Sequence, residues 1–188
     1  MLVEVARQLF AEKGFAETTM NDIAEASGKG RRTLYTYFRS KEEVYKSCID
    51  SELSYVTSAL NIVMKSPLQP KEKLEAYIRT RFEAMKDIVI RNGNLNGVFF
   101  RDILEIEKVR NKVDKKETVM LRQILQEGVE KGLFRITDVR RAAQFLLYAM
   151  KGLEVPYTRE SFRGGKDKNQ QIFEFLFHGL VGMEINEP

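Results

Sequence analysis

The segment Thr19–Lys41, TMNDIAEASGKGRRTLYTYFRSK, constrains the fold more than any other stretch of the chain. Its pattern predicts two short helices joined by a tight turn. Thr19 is suited to cap a first helix over Met20–Ser27, with Asp22 three positions later to bond back to it. Ile23 is expected to face the core, and Ala24 is small enough to let another helix cross closely. Gly28 supplies a residue able to take the left-handed conformation that side chains disfavour. A second helix follows over about Arg31–Tyr37, with Leu34 facing inward ten residues beyond Ala24. A small residue, a turn glycine and an apolar residue at these spacings are what a helix-turn-helix needs, and its second helix is built to enter a major groove.

Charge coincides with that geometry. Between Glu25 and Glu42 the only charged residues are Lys29, Arg31, Arg32, Arg39 and Lys41. Residues 1–47 as a whole hold eight basic and seven acidic side chains, so the basic charge is concentrated at one place. With Tyr35 and Tyr37 interleaved, the strip has what phosphate contact requires: cations that release counterions and phenols that donate to phosphate oxygens.

Residues 6–45 resemble the DNA-binding domain of the TetR (tetracycline repressor-like) family. The resemblance rests on Ala6, Leu9 and Phe10, Gly14-Phe15, Thr18-Thr19, Ile23-Ala24, Gly28, Thr33-Leu34-Tyr35, Tyr37-Phe38 and Ser40-Lys41-Glu42-Glu43. It covers about a fifth of the chain. It implies an all-helical homodimer that binds double-stranded, palindromic operator DNA, most simply as a repressor. It further implies that Thr19, Tyr35, Tyr37 and Lys41 hold phosphates while Arg31, Arg32, Thr33 and Thr36 lie near base edges. Lys29, Gly30 and Arg32 depart from the family pattern, which has an apolar residue, a serine cap and a small residue there. The operator sequence therefore cannot be carried over from a relative.

Rival chemistries find little support. Gly28-Lys29-Gly30 lacks the spacing of a phosphate loop and follows a helix where a dinucleotide motif would follow a strand. Cys48 is the only cysteine and His178 the only histidine of the 188 residues, which excludes a disulfide framework and a two-histidine metal site. Cys48 reads as a packing residue, and His178, in a dense apolar run, as a core or interface residue. The carboxylate pairs Glu42-Glu43 and Glu105-Glu107 sit on basic helices, as solvated faces do, and no nucleophile turn occurs. No enzyme activity, cofactor or metal is expected. Glu4 and Arg7 interrupt the apolar pattern at the N-terminus, unlike a signal peptide, and no apolar run approaches the roughly 20 residues of a membrane span. A cytoplasmic protein without membrane association is expected.

The expected fold is all-α with about nine helices: a three-helix DNA-binding domain over 1–46 and a helical-bundle effector-binding and dimerisation domain over 47–188. Beyond the two helices above, the pattern predicts helices over 2–13, from Ser40 (boxed with Glu43) to about Met64, and from Pro70 along Leu74, Ile78, Phe82, Met85 and Val89. A loop at Asn92–Gly97 precedes helices over 98–110 and on to Lys131, where Gly132 ends the helix and Leu133 can fold back. A helix from Asp138 to about Gly152, a loop of about a dozen residues with Pro156 and Gly164-Gly165, and a helix over 167–184 complete the expectation.

Two further sites follow from the patterns of residues in these helices. In the middle ones, Tyr77, Phe82, Met85, Phe99, Phe100, Met120 and Ile124 could line an apolar pocket for a small-molecule effector, although core packing explains the same stripe. Near the C-terminus the helix from Asp138 carries one stripe with Leu146 and Met150 and a second apolar set at Phe145, Tyr148 and Ala149. The last helix, with Phe173, Leu176, Phe177 and Leu180, is apolar nearly all round, as a helix buried on two sides would be. Leu146, Met150, Phe173, Leu176, Phe177 and Leu180 are accordingly expected at a dimer interface. The leading expectation is a repressor released from its operator by an apolar or amphipathic ligand. A regulator controlled by a protein partner, and a helical enzyme with a vestigial DNA-binding module, remain open.

Overall fold

The computed structural model describes residues 1–92 and 104–162, with side chains described over 1–92 and 110–154. Seven helices account for the regular structure of these residues, and none of them is in a strand. They are α1 (Leu2–Lys13), α2 (Met20–Ala26), α3 (Arg31–Tyr37), α4 (Lys41–Met64), α5 (Pro70–Asn92), α6 (Leu104–Glu130) and α7 (Val139–Phe162). None of the described helices is long and apolar enough to cross a membrane.

Local chemistry sets the ends. Gly14, at φ 86°, closes α1 while its N–H donates to the Phe10 carbonyl. Thr19 and Asp22 form a complete capping box: the Asp22 N–H donates to Thr19 Oγ1 at 3.2 Å, and the Thr19 N–H donates to the Asp22 carboxylate at 2.7 Å. At α4 the expected box is displaced by one residue. The Glu43 N–H donates to Ser40 Oγ at 3.3 Å, but the Glu43 carboxylate reaches back to the N–H of Arg39, at 2.6 Å. Pro70 opens α5, where a missing donor loses nothing, and Gln69 ahead of it donates its N–H to the Glu72 carboxylate.

Four expectations need correction. The count of nine helices is not met: seven are described, and the one expected over 167–184 lies outside the described residues. Residues 104–130, expected to break near 110, form one helix, because no glycine or proline interrupts them before Gly128. Residues 153–162, expected as loop, continue α7 through Pro156. An interior proline removes one backbone donor and crowds the carbonyl four residues before it, at a cost of about 3 kcal/mol, and the helix continues here in spite of that local penalty. At the end of α6, Gly132 does take a positive φ of 70°, but Leu133 stays exposed and Phe134 is the side chain that folds back. The N–H groups of both residues donate to the Gly128 carbonyl, and a Cβ at Gly128 would overlap the Phe134 ring.

The helices gather into two compact units, one of Met1–Tyr55 with Asp87–Lys112 and one of Val56–Lys86 with the chain from Val113 onward. In the first, Phe10, Ile23, Leu34, Val44 and Ile49 are buried, and Phe10 meets the Tyr45 ring edge-on at 5.3 Å. Full burial of each such side chain stabilises by roughly 1.5–3 kcal/mol. Cys48 lies in this core with its thiol donating to the Val3 carbonyl; burial pushes it up to about 12, so it is an inert packing residue. An ionic knot ties α1 to α4 and to the end of α5. Glu52 is buried and accepts from Arg91 at 2.7 Å, while Arg7 lies 3.6 Å from Glu52 and donates to the Arg91 carbonyl at 2.9 Å. The second unit has a core of Leu74, Tyr77, Ile78, Phe82, Leu121, Ile124, Leu147 and Met150.

Candidate nucleic-acid interface

The site is built on α3, whose only buried residue is Leu34, with 0% of its surface exposed. One apolar anchor on a seven-residue helix leaves every other side chain in solvent: Arg31, Arg32, Thr33, Tyr35, Thr36 and Tyr37 are all exposed. The turn that presents α3 is made by Gly28 at φ 63°, with the N–H groups of Ser27 and Lys29 donating to the Ile23 and Ala24 carbonyls. Ala24 is buried, as the close crossing of α2 and α3 requires. Gly30 precedes α3 in extended conformation and supplies no side-chain cap.

Electrostatics favour the same face. Lys29, Arg31 and Arg32 enter no ion pair among the described residues and stand exposed. The Arg31 guanidinium lies 5.8 Å from the Tyr35 ring centroid, close enough for the ring face to orient it. Thr36 is partly committed, its hydroxyl lying 2.6 Å from the Thr33 carbonyl as donor. Such a surface offers guanidinium forks for base edges and phenols for phosphates.

Two of the expected phosphate ligands are engaged within the protein. Thr19 is exposed, but its N–H and hydroxyl are held by Asp22. The Lys41 ammonium donates to the Phe15 and Ala16 carbonyls at 2.7 and 3.1 Å and sits 4.5 Å from the Phe15 ring centroid. One of its three donors is left for another acceptor. Sequence spacing could not reveal this, because the carbonyls are about 25 residues away in the chain.

The other expected site residues lie in the second unit or outside the described residues. Phe82, Met85 and Ile124 are buried, Met120 is half-buried, and Phe99 and Phe100 lie outside the described residues. On α7, Leu146 and Met150 are buried within the protein's own chain, whereas Phe145 and Tyr148 are 66% and 56% exposed. Phe173, Leu176, Phe177, Leu180 and His178 lie outside the described residues. Sequence reading passed over a buried polar cluster in the second unit. Arg81 of α5 donates through Nε to Glu117 of α6 and through Nη2 to Glu154 of α7, both at 2.6 Å. All three are buried. A signal existed: Arg81 stands three residues after Ile78 and four before Met85, on the apolar stripe itself.

With this geometry, comparison with known proteins is informative. The profile of bacterial regulatory proteins of the tetR family matches residues 2–48. The HTH-type transcriptional repressor KstR2 of Mycobacterium tuberculosis is 30% identical over 138 residues, covering 71% of this chain and 68% of that protein. A transcriptional regulator from Cytophaga hutchinsonii superposes with a TM-score of 0.78 at 19% identity over 96% of both chains. The regulator FadR from Bacillus subtilis, solved in complex with stearoyl-CoA, superposes with a TM-score of 0.71 at 22% identity, again over 96% of both.

Proposed function

Because the chain belongs to the tetR family of bacterial regulatory proteins, a family of transcription regulators and not of enzymes, we propose that it is a repressor. It binds a palindromic double-stranded operator as a homodimer and is released by an apolar or amphipathic small molecule. Residues 1–46 act as the DNA-binding domain and 47–188 as the effector-binding and dimerisation domain. Helix α3 enters the major groove, where Arg31, Arg32, Thr33 and Thr36 approach base edges; Tyr35, Tyr37, Lys41 and the Thr19 end of α2 lie against phosphates.

The observation that carries this reading is the solvent face of α3: one buried leucine holds a helix whose remaining six side chains are exposed and include two arginines and two tyrosines. A helix so presented has no packing role for those six. Support for a small-molecule effector comes from FadR, whose solved complex holds stearoyl-CoA, and from the apolar side chains of α5 and α6. Support for the dimer comes from the exposed Phe145 and Tyr148 of α7, which give that helix an apolar face outside the protein's own core, whereas Leu146 and Met150, expected at the interface, are buried within that core. Selection of bound fragments from a random DNA pool tests the reading. It is expected to enrich two inverted half-sites about one helical turn apart; enrichment of no sequence would overturn it.

A further inference from the structure

We propose that Tyr77, Arg81, Glu117 and Glu154 form the polar end of a ligand site inside the second unit, one that takes a neutral oxygen, a hydroxyl or carbonyl, carried on an otherwise apolar molecule. The proposal rests on the effector reading above and deepens it by naming the chemical group recognised. Its foundation is two buried polar groups that find no hydrogen-bond partner among the described residues: the Tyr77 hydroxyl and Arg81 Nη1. Tyr77 and Arg81 are 0% and 3% exposed and stand four residues apart on α5, so they share one face of the helix. A buried donor left unsatisfied is strongly unfavourable, most of all on a charged group. Two of them at one place, one on a phenol and one on a guanidinium, point to an oxygen that both can reach.

Charge selects the kind of oxygen. Arg81 already faces two carboxylates, Glu117 at Nε and Glu154 at Nη2. One cation against two potential anions has no surplus for a third, so an incoming carboxylate or phosphate is disfavoured and a neutral acceptor is preferred. The neighbouring ion pair adds no surplus cation. Lys151 on α7 and Asp114 on α6, each three residues from its helix's glutamate, neutralise each other. Burial pushes the Glu117 carboxyl above its ordinary range against the pull of Arg81, and burial, with the Glu117 charge second and an approach of the phenol toward the Glu117 carboxylate last, raises the Tyr77 phenol; that approach falls short of a hydrogen bond, so the hydroxyl keeps its donor for another acceptor. Burial also works against the Arg81 charge, but the two carboxylates outweigh it. The rest of the buried face is apolar, with Ile78 and Phe82 on α5, Leu121 and Ile124 on α6, and Leu147 and Met150 on α7. The ligand is therefore a hydrocarbon skeleton with one oxygen placed to meet Arg81 and Tyr77.

The test uses the whole protein with 1-octanol, 2-octanone and octanoate as probes, titrated by calorimetry into wild type and Tyr77→Phe. Tyr77→Phe removes one hydroxyl and keeps the ring. Wild type is expected to bind the alcohol and the ketone more tightly than the anion. Tyr77→Phe should weaken those two by about fivefold, the scale of one neutral hydrogen bond, and leave octanoate unchanged. Independently of any variant, the carbonyl stretch of ¹³C-labelled 2-octanone should move to lower frequency on binding wild type. Failure of both neutral probes to bind, equal affinities in wild type and Tyr77→Phe, or an unshifted carbonyl band would each overturn the site. Operator competition separates this claim from the effector reading. Probes that bind with the stated discrimination but leave operator affinity unchanged uphold the site and overturn its role in release. A different small molecule that releases operator equally from wild type and Tyr77→Phe upholds release and overturns this site.

Discussion

Arg31 and Arg32 begin an exposed helix, and both are free of ion pairs among the described residues. A guanidinium in that position costs no partner when it turns to a base edge, and a bidentate contact to guanine discriminates by roughly 1–3 kcal/mol. Arg31→Ala or Arg32→Ala is therefore expected to weaken operator binding by about that much for a base-reading arginine and to relax preference at the base pair it reads. Fluorescence anisotropy on operators altered one base pair at a time measures both, and wild-type affinity and preference in both variants would contradict the interface. Lys41 is different, because two of its three donors hold the Phe15 and Ala16 carbonyls. Lys41→Met keeps the aliphatic stem over Phe15 but removes the donors. It should lower affinity for every sequence alike, reduce the salt slope by about one, and also lower the melting temperature. A melting shift with an unchanged salt slope would assign Lys41 to the loop alone.

At the scale of the element, α2 and α3 are both at most two turns long and depend on their ends. Asp22 shows how such an end responds to pH. Hydrogen bonds from Thr19, chiefly its hydroxyl, hold the Asp22 carboxyl below its ordinary value. The native state thus binds fewer protons than the unfolded chain just below the unfolded pKa of about 3.9. The contribution is present above that pH and is lost as pH falls through the lower, folded value. Thermal melts of wild type and Asp22→Asn should converge as pH falls from about 5 to 2; a gap constant with pH would dissociate the box from the charge. At α3 the cap is missing altogether. Gly30 has an ordinary extended backbone at φ −61°, and a Cβ there would meet only Thr33 Oγ1, at 3.8 Å. Gly30→Ser should fit, cap α3 and raise stability by roughly a few tenths of a kcal/mol. Chemical denaturation checks this, and a fall in stability would show that the glycine serves another purpose.

For the whole molecule the question is what covers α7. Its buried stripe, with Ala143, Leu146, Leu147 and Met150, packs in the protein's own core, and Phe145 and Tyr148 project outward. If that outward face joins a second copy, a charge placed on it must be desolvated on association. Phe145→Asp or Tyr148→Asp is then expected to give monomers by light scattering. Operator affinity should fall by orders of magnitude, because two half-sites are no longer held together. A soluble variant that remains dimeric with intact operator binding would place the seam elsewhere.

What the sequence determined by itself was local. The Thr19–Asp22 box, the Gly28 turn and the inward Leu34 of the first unit are encoded within a few residues of where they act, and the bounds of α1 and α3 follow from such signals. The exposed arginines and tyrosines of α3 were legible for the same reason: on a short helix with one apolar residue, the rest must face water. The tertiary structure decided what depends on residues distant in the chain. It turned the Lys41 ammonium toward the loop after α1, chose Phe134 over Leu133 to fold back, and buried Leu146 while exposing Phe145. It also brought Arg81 to Glu117 and Glu154, residues 36 and 73 positions away. Periodicity tells which side chains share a face, but not what that face meets, and a buried charge is tolerable only once its partner has arrived from another helix.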